Sequence, residues 1–232
     1  MSHTIGMYER RAFLVGMGAT ALAWPLAAHA QALGLGSGLS GILGKASDSS
    51  LDKLSAPGAF FSDPAVRIML PLLGGGGGGA FGKLLGGAGK LGITDGITRK
   101  LNDAAGLAAK EAKPVFRASI DRLTLNDVPG IISQKDGATQ YLRSSAGDEL
   151  RLKFRPLIDV ALGKVGAFTA LDKLGRTSSL ISAAGISRDK LGNSVTDQAL
   201  KGIFSYIGAE EGKLRGDPLG KAGGLLKGVL GN

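Results

Sequence analysis

Apolar residues recur at three- and four-residue spacing over residues 94–125, where Ile97, Leu101, Ala104, Ala108, Ala112, Val115, Phe116, Ile120 and Leu123 share one stripe. Arg99, Asp103, Lys110, Arg117 and Asp121 lie mostly off it. That spacing brings side chains back to one face of a 3.6-residue turn and predicts a long amphipathic helix. Pro114 has no N–H and crowds the carbonyl of Lys110, so a kink is predicted there. Thr124-Leu125-Asn126-Asp127 has capping-box spacing and predicts a short helix over 128–132. Asp136 is expected to cap a helix that carries Ala138, Tyr141 and Leu142 inward. Ser145-Ala146-Gly147-Asp148 opens another over 149–165, burying Leu150, Phe154, Leu157, Ile158, Ala161 and Val165, with a second internal proline at Pro156.

Residues 168–174 predict a short helix, and a looser Ser/Gly segment follows to residue 192. Ser194-Val195-Thr196-Asp197 then starts the last helix, with Ala199, Leu200, Ile203, Phe204, Ile207 and Leu214 as its apolar face and Asp217-Pro218 at its end. Upstream, Ser62-Asp63-Pro64 suits a cap and a first helical position, predicting a short helix over 65–69 that stops near Pro71. Strand signals are confined to short, ambiguous apolar runs. The predicted fold class is all-α: a single-domain helical bundle with kinked long helices.

Glycine divides the chain into regions. Residues 31–45 form a Gly/Leu/Ser tract, and each glycine weakens a helix by about 1 kcal/mol relative to alanine. A mobile tail or a short frayed helix is expected there. Gly74 to Gly79 is an unbroken glycine run that reads as a flexible linker. A phosphate loop would need Lys and Ser/Thr where Ala80 and Phe81 stand. Residues 81–91 and the 218–232 tail are similar Gly/Leu/Lys amphipaths, suited to packing on the body or to lying on an anionic membrane surface. The expected organisation is an export signal over 1–30, a glycine-rich region with short helices over 31–93, a helical core over 94–217, and the tail.

The signal reading rests on order and length. Arg10 and Arg11 precede an uncharged, mostly apolar run over 12–23, then Pro25 and the small-residue site Ala28-His29-Ala30. Basic start, short apolar run and A-x-A site together predict a secretory signal cleaved after Ala30. The run falls short of the roughly 20 residues a membrane span needs. Arg10-Arg11-Ala12-Phe13-Leu14 is similar to a twin-arginine signal. Glu9 stands where such signals usually have Ser or Thr, so general secretory export stays open. A periplasmic destination follows from either route.

Cleavage changes what the composition means. His3, His29 and Trp24 leave with the signal, and the chain has no cysteine. The mature protein then lacks zinc sites of nitrogen and sulfur, haem with His or Cys ligands, thiol chemistry and every His-dependent nucleophile. No cofactor is implied, and no spaced run of aspartates suggests a calcium or magnesium site. The formal charge of the whole chain is +9. Its cations are spread along the sequence and not interleaved with aromatics, so nucleic acid is not the expected partner. A solvated basic surface is the first expectation, and an anionic envelope component or a membrane surface is the partner the charge would suit.

Two places concentrate polar groups among core-type residues. Glu210 follows Ile207 by three residues and precedes Leu214 by four, which puts it on the apolar stripe; Glu211 is expected on the flank, four residues before Arg215. A structural ion pair with Arg215 and a neighbouring helix competes here with a catalytic carboxylate, for which Asp127 is the conceivable partner. Thr139, Gln140 and Tyr141 supply a hydroxyl, an amide and a phenol within one turn, suited to a small polar ligand or to a buried network. Arg155, beside Pro156, is positioned to pair with a carboxylate or to reach a freed carbonyl. The expected functional surface is a groove between the helices over 136–144 and 194–215. There Thr139, Gln140, Tyr141 and Arg155 would donate, and Glu210 and Glu211 accept.

Several blocks occur in an order similar to that of a known family. Phe60-Phe61-Ser62-Asp63-Pro64-Ala65-Val66-Arg67-Ile68 resembles its opening. Ala112-Lys113-Pro114-Val115-Phe116, Gly137-Ala138-Thr139-Gln140-Tyr141-Leu142 and Phe154-Arg155-Pro156 resemble its middle. Ala199-Leu200-Lys201-Gly202-Ile203-Phe204, Glu210-Glu211 and Arg215-Gly216-Asp217-Pro218 resemble its end. The family is the bacterial exported domain of unknown function 4197, and the resemblance covers about residues 39–230. The glycine run and the glycine-rich C-terminus depart from its pattern. The resemblance implies an exported, mainly helical domain and supplies no activity. The expected function is a non-enzymatic binding or envelope-associated module. A carboxylate-dependent hydrolase or lyase acting on an envelope polymer and a peripheral membrane protein are the alternatives.

Overall fold

In the computed structural model the described residues are 23–71, 95–123, 131, 133–177, 182 and 185–216, with side chains from Gly38 onward. Six helices occur among them: α1 Ala23–Ser55, α2 Ala59–Ser62, α3 Asp95–Asp121, α4 Gly137–Lys164, α5 Ala167–Thr177 and α6 Arg188–Gly216. The described chain is all-α, without strands. The predicted export signal through residue 22, the short helix over 128–132 apart from Ile131, the glycine run, and the 81–91 and 218–232 tracts lie outside the described residues.

The four long helices form a ring in which α1 packs on α3, α3 on α4, α4 on α6, and α6 back on α1. Cross-helix contacts fix their directions. Asp48 and Asp52 of α1 pair with Arg117 and Lys113 of α3. Lys100 of α3 reaches the Val165 carbonyl beyond α4, whereas Arg122 just past α3 pairs with Glu149. Arg151 of α4 pairs with Asp197 of α6, and Ala138 meets Glu211. Neighbours therefore run antiparallel around the ring, as in an up-down-up-down bundle. Phe60, Phe116, Phe154, Leu101, Leu142 and Ile158 are among the side chains closed from solvent at its centre.

The tail or frayed helix expected over residues 31–45 is instead part of the continuous α1. Leu39, Ile42, Leu43 and Ala46 are all buried. Burying a Leu or Ile side chain contributes roughly 1.5–3 kcal/mol, which outweighs the propensity cost of single glycines. The core thus draws on residues from both sides of position 94.

α1 ends before it has covered the whole length of α3 and α6. Residues 63–71 occupy the rest of that corner, where a short helix over 65–69 is predicted: a single turn, closed by Arg67 N on the Asp63 carbonyl at 2.9 Å, leads into an extended strap that runs to Pro71. Val66, Ile68 and Leu70 alternate inward, and Arg67 and Met69 stand between them on the outer side. That two-residue period belongs to extended backbone. Asp63 and Pro64 do open a turn, Asp63 Oδ1 accepting from Ala65 N at 2.9 Å, but it does not propagate beyond Arg67. The strap has no neighbouring strand, so side-chain amides satisfy its backbone. Asn102 Oδ1 accepts from Ile68 N at 2.8 Å, and Asn102 Nδ2 donates to Ile68 O at 2.9 Å. Gln198 Oε1 accepts from Met69 N at 3.0 Å, and Gln198 Nε2 donates to Met69 O at 2.9 Å.

Two predicted breaks are absent. The capping-box signature at residues 145–148 lies inside α4, because Ala138, Leu142, Ala146, Leu150 and Phe154 continue one buried stripe through it. The similar signature at 194–197 lies inside α6, which starts earlier; Ser187 Oγ accepts from Lys190 N at 3.1 Å. Pro114 and Pro156 both sit inside helices on the solvent side, where water can take the carbonyls they leave unpaired.

Removing the amide from Asn102 leaves the N–H and C=O of the fully buried Ile68 without partners. Asn102→Ala is expected to lower unfolding free energy by about 2–4 kcal/mol in urea titration, and Gln198→Ala, at an exposed bond, by less than about 1.5 kcal/mol.

Candidate functional site

α4 begins at Gly137, so the N–H groups of Ala138 and Thr139 have no partner within their own helix. Asp136 occupies the cap position, but its side chain makes no capping bond; its Oδ1 instead accepts from Gln140 Nε2 at 2.9 Å. The cap comes from α6. Glu211 Oε1 accepts from Ala138 N at 3.0 Å, and Oε2 accepts from Thr139 N at 2.8 Å and Thr139 Oγ1 at 2.5 Å. Arg215, one turn on, places Nη2 2.5 Å from Oε1. Its Nη1 donates to the carbonyls of Ile131 and Gln134, both at 3.2 Å. Glu211 is closed from solvent, and Arg215 is nearly so. A carboxylate at a helix N-terminus also meets the positive end of the macrodipole.

Close approach is a condition of this arrangement. A Cβ on Gly137 would stand 2.1 Å from the Ile131 carbonyl oxygen. Only glycine lets the chain before α4 fold back against its first turn.

The two glutamates exchange the positions expected of them. Ile207 leads to 210 by one helical spacing and to 211 by another, and the buried series Leu200, Phe204, Ile207 continues to Glu211. The i,i+4 pairing of Glu211 with Arg215 forms as the spacing indicated. Glu210 lies at the edge, 2.8 Å from both Lys53 of α1 and Lys213, and accepts from Ser49 Oγ at 3.2 Å. The hydrogen bonds from Lys213 and Lys53 hold its carboxyl down at about 2. A carboxylate so stabilised is a weak base and stays ionised at neutral pH, which suits it poorly to general acid–base work.

The other expected donors do not converge with these acids. Thr139 is buried against Glu211, Gln140 is exposed, and Tyr141 is half-buried against the core. Arg155 lies 16 residues beyond Thr139, about 24 Å along the helix axis. Its Nε meets Asp159 at 3.1 Å, its Nη2 meets Asp189 at 3.1 Å, and its Nη1 bonds Asn193. Gly192 makes room, since a Cβ there would come 2.6 Å from Arg155 Nη2. Arg151 continues this ladder to Asp197 and Asn193. Asp189, Asn193 and Asp197 were not anticipated as partners. Their i,i+4 recurrence opposite Arg151 and Arg155 was the available signal. Asp127 lies outside the described residues.

The expected groove is therefore a sealed joint at one end and an ion-pair ladder towards the other. Among the described residues, no group of three or more His, Cys, Asp or Glu side chains could hold a metal ion. A cavity of about 310 Å³ opens elsewhere, between α5 and residues 182–187, lined by Leu171, Asp172, Ser182 and Ile186.

Fold and joint together define an all-α bundle whose buried carboxylate serves one helix as the cap of another. The sequence matches, over residues 30–231, the family described as Protein of unknown function (DUF4197), and the chain belongs to it. No curated protein and no solved structure matches.

Glu211→Gln removes the charge facing Arg215 while keeping shape, and is expected to cost about 3–5 kcal/mol of stability. Pairing it with Arg215→Met should cost less than the two single changes added, which a double-mutant cycle in urea measures. For Glu210, folding depresses the carboxyl from 4.5 to about 2, so its contribution is complete above about pH 4.5 and is lost as pH falls towards 2. Both lysine partners are largely solvated, which keeps the effect near about 1 kcal/mol. Glu210→Gln should accordingly flatten the acid limb of a stability–pH curve in that window.

Proposed function

We propose that the protein is an exported periplasmic module that binds an anionic component of the envelope without catalysing a reaction. The observation that carries the non-enzymatic half is the fate of the two adjacent glutamates. Glu211 is enclosed by Ala138, Thr139 and Arg215, and Glu210 is pinned between Lys53 and Lys213. Glu211 is closed from solvent and both acids are held by cations, whereas hydrolysis of a polymer by paired carboxylates requires two acids across an open cleft.

The export half is supported by Arg10-Arg11, the apolar run after them and Ala28-His29-Ala30. The family match begins at residue 30, beside the expected junction. Losing the signal removes Arg10, Arg11 and Glu9, so the mature charge is only one unit below the +9 of the whole chain. A strongly cationic protein in a compartment bounded by anionic lipid is drawn to that surface. Among the described residues no helix is long and apolar enough to cross a membrane, so attachment would be peripheral.

Protein recovered from the periplasmic fraction should begin at Gln31, and Arg10→Lys with Arg11→Lys should abolish its export if the twin-arginine route is used. Purified from that fraction, it should float with phosphatidylglycerol vesicles at low salt and be released as salt screens the attraction over about 10 Å at 0.1 M. Recovery only from the cytoplasm, or vesicle binding indifferent to lipid charge, would contradict the reading.

A further inference from the structure

We propose that Arg67 and Arg99, gathered on the ring of Phe61, form a site for the phosphate group of an anionic phospholipid. This rests on the envelope-binding reading above and gives it an address. The guanidinium carbon of Arg67 lies 4.7 Å from the Phe61 ring centroid, and that of Arg99 lies 4.3 Å away. The two cations can be no further apart than those distances laid end to end, about a Debye length at physiological ionic strength.

Sharing one ring sets this pair apart from Arg143 and Arg176, which also hold no carboxylate among the described residues. Arg117, Arg122, Arg151, Arg155, Arg188 and Arg215 each hold a carboxylate. Among the described residues, no carboxylate is within ion-pair distance of Arg67 or Arg99. Asp95 and Asp103 stand one turn either side of Arg99 on α3 without pairing with it, and Asp63 is taken by Tyr206 and Ala65 N. The 72–94 sequence that leaves the strap after Pro71 and returns at Asp95 contains no acid.

Both side chains are already positioned. Arg67 Nε donates to the Phe61 carbonyl at 2.6 Å, fixing the stem and leaving its terminal nitrogens for a ligand. Ring contact orders both forks, so less conformational freedom remains to be lost on binding. Planar guanidinium donors match phosphate oxygens in pairs. The same outer side of the strap carries Met69, two residues from Arg67 and 56% exposed. An apolar side chain beside an arginine that meets no carboxylate among the described residues suits a phosphate that is carried on an acyl chain.

The protein as the cell produces it is tested against vesicles of phosphatidylglycerol in phosphatidylcholine, against phosphatidylcholine alone, and against inorganic phosphate. R67Q/R99Q is compared with K110Q/K164Q, which removes two exposed cations elsewhere. Losing two cations from the contact is expected to weaken binding about thirtyfold in R67Q/R99Q, with the control pair close to the native protein. R67K/R99K keeps the charge, is the milder change for folding, and should still bind more weakly because the forks are gone. Equal loss in the two glutamine pairs, or native binding by R67K/R99K, overturns the site and leaves the envelope-binding reading standing. No binding of the native protein to phosphatidylglycerol vesicles overturns both. Saturable binding of inorganic phosphate that abolishes vesicle attachment overturns the lipid source.

Discussion

A carboxylate removed from water is stable only where several donors surround it, and the lower end of this bundle is built around that requirement. Glu211 collects two backbone N–H groups, a hydroxyl and a guanidinium. Together the donors tie three parts of the chain: the first turn of α4, the last turn of α6 and, through Arg215, the carbonyls of residues 131 and 134. Gly137 supplies the space in which they meet. The pair adds specificity more than net stability, because desolvating two charges offsets much of their attraction. A slip of α6 by one residue would bring Glu210 or Gly212 to the cap, so the joint selects one register among those an apolar stripe alone would allow.

Legibility in the sequence followed the range of the interactions. α3 was visible because a long period of apolar residues is local information, and the all-α class followed from it. The strap was not. Val66, Ile68 and Leu70 alternate openly, but Asp63-Pro64 imitates a helix start, and the amides that replace a neighbouring strand lie 34 and 129 residues away. The two false breaks share one cause. A capping box is informative only where the chain leaves the helix, and continuous apolar stripes through Ala146 and Val195 keep it inside.

The candidate site was half legible. Spacing marks Glu210 as the charge on the apolar face and Glu211 as its flanking neighbour, and the i,i+4 relation of Glu211 to Arg215 is readable. Which glutamate turns inward depends on a backbone more than 70 residues away, and no local pattern carries that. Arg155 was singled out, but its partners on α6 became visible only once α4 and α6 lay antiparallel. The site that remains open, on Phe61, lies outside the groove the sequence suggested. Its two arginines come from opposite ends of the glycine-rich segment, and only the fold makes them neighbours.

The amide clamps on the strap have an effect beyond stability. An extended segment on the outside of a helical protein ordinarily presents a row of free N–H and C=O groups, to which another unfolded chain can add as a strand. At Ile68 and Met69 both groups are already occupied, by Asn102 from one side and Gln198 from the other. Among the described residues, the extended stretch with the geometry to template aggregation is thereby blocked at Ile68 and Met69 by two side chains.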